Sequence, residues 1–421
     1  MASSTVSSFT HRTLNLISKV HRDEHPVLLW FSVKAFVLLF AYYHLKPLRE
    51  ALMLSEHDAE IRSYATAIQA LILLLAMPVY GYIVRHFGTT RMFTRILWTT
   101  LLCLFGFWLG YRTGWSVAGA FYVWLGIFNV LLVAQFWAEC AAFYQPESGK
   151  RLFPVIAAGA TLGGLLGALV SRQLFVLGGA DAAFIVAILG YLFLILAPNP
   201  QVTTSEQKAD EDKPKSRMHW FRGFNQMLKS HYLIAIALFV VLLNLGNSVG
   251  EFILAKWVYL ELEGASAIGA FYGSFFSWVN LATVLCQLFL VSRLIRWLGV
   301  SGALLIVPML MFFGYLALFV LPFFWLTYAY KVAENSLDYS LQNTLRHALF
   351  LPLSGVQLYE GKAVIDTLCW RLGDLLQLAI VLAGTHWLML EIRGYLVVNI
   401  VLALLWIAAC LWLGKMARSR C

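Results

Sequence analysis

Ionisable side chains recur inside long apolar runs of this sequence, at helical spacing. In the run Phe324–Leu345 stand Lys331, Glu334, Asn335, Asp338 and Gln342, followed by Arg346. Steps of three or four residues align them along one face of a helix. The run Ala363–Leu388 carries Asp366, Arg371, Asp374 and Gln377, and Tyr232–Tyr259 carries Asn244, Asn247, Glu251 and Lys256. Val27–His44 holds Lys34, with Lys46 and Arg49 following around Pro47, and Ser116–Glu139 ends on Glu139. In hydrocarbon each such charge costs at least about 2–3 kcal/mol unless it is paired or faces water. Two readings stay open. Lys331 with Glu334, and Arg371 with Asp374, have the spacing of ion pairs within one helix. Taken as a set, the charges fit a polar cavity better than packing. Lys46, Arg49 and Arg346 have no obvious counter-ion of equal number, which leaves cationic positions for an anionic solute. Arginine can hold phosphate or carboxylate with two parallel hydrogen bonds. A buried carboxylate such as Glu139, Glu251 or Asp338 could instead carry a proton, since desolvation penalises its charged form. The candidates for substrate binding are therefore Lys46, Arg49, Lys331, Asp338, Arg346 and Arg371. Those for coupling or gating are Lys34, Glu139, Glu251, Lys256, Glu334, Asp366 and Asp374.

The elements that must position these groups follow from composition. Of 421 residues, 60% are hydrophobic and 13% charged, with a mean hydropathy of +0.74. Water is not the main solvent of such a chain. A spanning helix needs roughly 20 mostly apolar residues, and about twelve such runs are present. Besides those above they are Tyr64–Val84, Phe93–Tyr111, Leu152–Ser171, Ala180–Ala197, Ala267–Leu290, Gly302–Leu321 and Tyr395–Leu413. The expected fold is all-α: a polytopic membrane protein of about twelve transmembrane helices in two six-helix bundles, 27–197 and 231–414. Residues 1–26 and 415–421 are expected to be cytoplasmic tails. Residues 198–230 form a linker too charged to bury a core. Lys and Arg collect in alternate short loops (Arg85, Arg91 and Arg95; Lys150 and Arg151; Lys208 to Lys229; Arg293 and Arg296; Lys415). Basic side chains resist translocation, so these loops and both termini are expected in the cytoplasm, in a bacterial inner membrane. The net charge of +9 is thus mainly a topology signal, helped by anionic headgroups, and nucleic-acid binding explains it poorly. Gly159, Gly163 and Gly167 recur every four residues and strip one helix face of bulk, for static close packing or for a sliding contact.

Chemistry of other kinds lacks its motifs. The six cysteines are scattered without CxxC or Cys/His clustering and read as free thiols. There is no GxxxxGK[ST] loop, no HExxH and no GxSxG. No metal or cofactor is implied, and an enzyme is not expected. The partners expected are a bilayer and a small anionic solute, a nucleotide or organic phosphate, with the monomer sufficient as a working unit. A proton-coupled carrier or exporter of another organic anion is the alternative; a membrane-embedded enzyme and a non-transporting sensor rank below it.

One ordered motif is more specific: Asp338-Tyr-Ser-Leu-Gln-Asn-Thr-Leu-Arg346-His-Ala-Leu-Phe-Leu-Pro352-Leu, then Glu360-Gly-Lys362-Ala-Val-Ile-Asp366 and Arg371-Leu-Gly373-Asp374. With Tyr43-His-Leu-Lys46-Pro-Leu-Arg49-Glu50 and Phe136-Trp137 followed by Gly149-Lys150-Arg151-Leu152, it resembles the ATP/ADP translocases of plastids and intracellular bacteria. That family has a major-facilitator-like two-bundle fold. The resemblance covers under a quarter of the chain and implies counter-exchange of nucleotides, with Arg49 and Arg346 on phosphates. The chain departs from the pattern at Leu125, which stands where the exchangers carry a glutamate, and at Asn343 and His347, where acids are commoner. The family's seventh-span Asn-Leu-Val-Glu falls either on Asn244–Asn247 or, less regularly, ends at Glu251.

Overall fold

The computed structural model describes residues 24–87, 89–197, 220–353, 355 and 357–418. The tail before residue 24, the linker segment 198–219 with Lys208, Lys213, Lys215 and Arg217, and Arg420 lie outside the described residues, as do the side chains of Arg85, Arg91 and Lys150. The described chain is helical, and it contains no strand among the described residues.

Among the described residues, eight helices are long and apolar enough to cross a membrane. The remaining expected spans are found where glycine or charge interrupts the pattern. The fifth and sixth form one helical run, Pro146–Leu196, broken at Gly179, whose φ of 61° is open to glycine without steric cost. Gly299 (φ 67°) likewise breaks Val291–Ala303 ahead of the ninth span, Ile306–Val320. The tenth, residues 324–348, and the eleventh, residues 357–387, hold the buried Lys331, Glu334, Asp338 and Asp374 and are divided by π-helical turns at Asp338–Gln342, Gln357–Gly361, Ile365–Cys369 and Ala383–Trp387. Large apolar side chains stay exposed along many spans, among them Leu75, Leu102, Leu177, Phe313 and Leu405. Helices with such surfaces satisfy their backbone internally and suit lipid as solvent. The protein is a polytopic all-α membrane protein.

The helices cluster into two compact units. The first comprises the described parts of Met1–Leu52, Ala76–Lys215 and Gly264–Ser277. In it the first span, His25–Glu56, lies against the fifth so closely that a Cβ on Gly159 would stand 2.6 Å from the Ser32 carbonyl oxygen. Gly163 faces the Phe36 carbonyl and Gly167 that of Phe40 in the same way. This is backbone-to-backbone packing of small-residue faces.

The second unit comprises the described parts of Met53–Leu75, Ser216–Glu263 and Trp278–Cys421. Its centre is the seventh span, His231–Glu261, most of which is buried. Gly246, Gly250 and Gly373 make room there for Met311, Tyr315 and Asn244. The stretch Met53–Leu75, from the end of the first helix into the second, packs in this unit through Gln377, whose Nε2 donates to Ser63 Oγ at 2.9 Å.

Candidate functional site

The predicted charges of the first unit form two groups. Lys34 is buried and donates to Glu139 Oε2 at 2.7 Å, with its ammonium 4.1 Å over the Phe93 ring. Two residues 105 positions apart thus neutralise each other. Lys46 places its ammonium 4.0 Å above the ring of Phe276, and Arg49 stacks 4.2 Å over Tyr122 while pairing with Glu50 at 2.5 Å. The expectation that Arg49 lacks a counter-ion is corrected: Glu50, the next residue, supplies it.

In the second unit a closed network surrounds Lys331, which has no exposed surface. Its Nζ stands 2.9 Å from Glu334 and 3.7 Å from Glu251, and donates to Asn247 Oδ1 at 3.0 Å. Tyr315 donates to Glu334 at 3.1 Å, Asn335 donates to Glu251 at 2.8 Å, and Arg62 lies 3.7 Å from Glu251. Two bases and two acids therefore balance. Burial of charge is tolerable only with such complete pairing. Close by in sequence, Lys256 pairs with Glu60 at 2.8 Å. Asp374 accepts from Asn244 (2.9 Å), Ser248 (3.3 Å) and Arg371 (3.3 Å). Arg371 and Lys331, predicted to bind substrate, are thus engaged with acids of their own helices.

Beside these networks lies a cavity of about 320 Å³, lined by Leu243, Asp338, Tyr339, Gln342, Asn343, Arg346 and Trp370. The π-helical turn Asp338–Gln342 displaces the register of the tenth span, and turns of this kind are frequent at functional sites. Arg346 lies 4.9 Å over the Trp370 ring and donates to Asn343 Oδ1 at 3.1 Å. Its Nε is 4.0 Å from Asp366, which is held by Lys362 at 3.1 Å. Arg346 thus does have an acid in reach, a second correction, though its Nε and Asp366 Oδ1 form no hydrogen bond. Gln342 is fully buried with neither Oε1 nor Nε2 satisfied, and buried Asp338 makes no hydrogen bond or ion pair among the described residues. Unpaired polar groups in the protein interior call for a partner of some kind.

Of the predicted substrate residues the structure brings Asp338 and Arg346 to one cavity. It sets Lys331 and Arg371 in neighbouring ion pairs, and it places Lys46 and Arg49 in the other unit. Sequence reasoning missed Glu60, Arg62, Glu50, Tyr315 and Trp370. Glu60 and Arg62 open the second span, where charges at helix ends are ordinary and give no signal of a long-range pair.

The sequence model of the Major Facilitator Superfamily matches residues 27–340. ADP,ATP carrier protein 1 of Chlamydia muridarum is 24% identical over 353 residues, spanning 74% of this chain and 66% of that protein. ADP,ATP carrier protein 1 of Chlamydia trachomatis is 24% identical over 339 residues, spanning 70% and 64%. The chain spans less than two thirds of the length of these relatives. Among solved structures, the nucleoside transporter NupG superposes with a TM-score of 0.65 at 13% identity, covering 92% of this chain and 98% of that one. An inward-facing bacterial homologue of the lysosomal transporter Spinster gives 0.64 at 14%, covering 95% and 99%. These two likenesses speak to the fold. With the matched region extending over well more than half of its length, the chain belongs to the Major Facilitator Superfamily, as a divergent member similar to the ADP,ATP carrier proteins.

Proposed function

We propose that this protein is a secondary transporter that carries a nucleotide or related phosphorylated anion across a bacterial inner membrane, by alternating access and exchange. The observation that carries this reading is the cavity bounded by Arg346, Gln342, Asn343 and Asp338. A stacked guanidinium offers a flat fork to a phosphate. The unsatisfied amide of Gln342 offers one donor and one acceptor, the pair that reads an adenine edge. At about 320 Å³ the cavity lies near the lower end of the roughly 300–1,000 Å³ usual for ligand sites, enough for part of a nucleotide. Lys34, Glu139, Glu251, Lys256, Glu334, Asp366 and Asp374 act in this scheme as exchangeable ion-pair partners, and Lys46 and Arg49 as a second cationic site.

The test is uptake of labelled ATP into proteoliposomes with and without internal ADP. Uptake stimulated by internal ADP and lost in Arg346→Ala supports the proposal; a folded, reconstituted protein that exchanges no nucleotide overturns it. A second reading, a proton-coupled carrier of another organic anion, is favoured by the unpaired carboxylate of Asp338. Acidification of the vesicle lumen during uptake, abolished in Asp338→Asn, would select it.

A further inference from the structure

A second cavity in the second unit, of about 390 Å³, shares no lining residue with the one at Arg346. Its walls come from the end of the seventh span (Lys256, Trp257 and Leu260), the turn before the tenth (Pro322) and the start of the twelfth (Glu391 and Arg393). By the alternation of basic loops, all three stretches fall on the outer side of the membrane. Phe323, Trp325, Trp387 and Leu388, in the adjoining turns, are exposed. Aromatic residues collect where headgroups meet acyl chains. The charges at the cavity balance. Lys256 is neutralised by Glu60 at 2.8 Å. Glu391 and Arg393 are both exposed, and neither side chain makes an ion pair or hydrogen bond among the described residues. The indole N–H of Trp257 is likewise without a partner among the described residues. The cavity therefore presents one free acid, one free base and one free neutral donor beside the apolar Leu260 and Pro322.

We propose that this cavity holds the phosphoethanolamine headgroup of a phospholipid of the outer leaflet. The phosphate meets the Arg393 guanidinium and the Trp257 indole N–H, the ammonium meets the Glu391 carboxylate, and the glycerol end lies over Leu260 and Pro322. A guanidinium fork suits phosphate oxygens, and an ammonium donates charge-assisted hydrogen bonds to a carboxylate. Charge selects this occupant. A zwitterion matches one free acid and one free base, whereas an anionic headgroup or a nucleotide would set its negative charge against Glu391, and like charges brought together at a binding site oppose association. A choline headgroup has no N–H to give that carboxylate. The volume lies within the roughly 300–1,000 Å³ usual for ligand sites. Lys256 stands both in the cavity wall and in the pair with Glu60, so the headgroup sits beside the contact between the seventh span and the start of the second. The proposal concerns lipid and holds whichever solute the cavity at Arg346 takes.

Hydrogen exchange of residues 388–394 tests it, on the full chain in nanodiscs of phosphatidylglycerol alone, or mixed with phosphatidylethanolamine or with phosphatidylcholine. Ethanolamine lipid at about ten times its dissociation constant should slow exchange about tenfold, and choline lipid should leave it unchanged. Glu391→Gln and Arg393→Gln alter exposed side chains, so each variant should melt at the wild-type temperature, and each should lose the slowing. Equal wild-type exchange in all three discs overturns the proposal, and so does equal slowing by the choline lipid. A variant that keeps the slowing also overturns it, because the response then belongs to the bilayer and not to the cavity. Water-soluble glycerophosphoethanolamine added to phosphatidylglycerol discs should have no effect. If it reproduces the slowing, the cavity serves a soluble zwitterion and the lipid assignment falls; slowing by added ATP would equally make it a nucleotide seat. Should a variant fail to fold, the contrast between ethanolamine and choline lipid on the wild type decides alone.

Discussion

Lys331 is fully buried beside Glu334, Glu251 and Asn247, and its removal leaves the buried Glu334 without its counter-charge. Deleting one member of a buried pair costs about 3–5 kcal/mol, whereas replacing both by apolar groups of similar volume is often neutral. Lys331→Ala should therefore lower the melting temperature of the purified protein sharply, and Lys331→Met combined with Glu334→Leu should recover much of the loss. Gln342 predicts the opposite relation between stability and function. Its amide is buried with both polar atoms unsatisfied, so Gln342→Met should stabilise the protein by about 1–3 kcal/mol. The same change should abolish the thermal shift given by a bound nucleotide. His347, near the end of the tenth span, accepts from the Lys362 ammonium at 3.1 Å.

Helices meet here in two ways, by backbone approach and by ion pairs between elements. On the fifth span the glycine face admits the first span's carbonyls, and a side chain at Gly163 has no free space. Gly163→Val should destabilise by at least the 1–3 kcal/mol usual for overpacking, while Gly119→Ala, with nothing within 4 Å, should melt as the wild type does. Thermal unfolding of the two variants side by side checks this. Close packing of these faces is what the structure records, and its glycine spacing was legible in the sequence. The pair Lys256–Glu60 ties the seventh span to the start of the second. Both side chains are partly exposed, so the pair contributes at most about 1 kcal/mol. Its value lies in partner choice: Glu60→Lys and Lys256→Glu should each lower uptake, and the double exchange should restore it. Intrahelical pairing, one of the two open readings, is realised for Lys331–Glu334 and Arg371–Asp374. The cavity reading is realised for Asp338, Gln342 and Arg346. Spacing alone could not divide the residues between the two, because groups three or four apart on one helix can face each other or a common space.

For the whole molecule, hydropathy was enough to find the spans, including the two that glycine and charge hide from a strict apolar window. Residues 324–348 and 357–387 were recognisable because their charges kept helical spacing inside otherwise apolar runs. The grouping of helices was less legible. Met53–Leu75 clusters with the seventh and later spans and Gly264–Ser277 with the earlier ones, a division that falls inside helices and leaves no mark in composition. Long-range partners were hidden for the same reason: Lys34 and Glu139, or Arg62 and Glu251, stand on different helices, and no local rule relates them. The sequence by itself determined the all-α membrane architecture, the family resemblance and the set of costly charges, because bilayer thickness and the helical period act locally along the chain. Only the tertiary structure decided which of those charges cancel and which are left facing a cavity, because that depends on distances between helices far apart in sequence. Arg346 and Asp338 stand at the cavity because a π-helical turn shifts the register between them, and Lys331 does not line it because Glu334 of its own helix and Asn247 and Glu251 of the seventh span close around its ammonium.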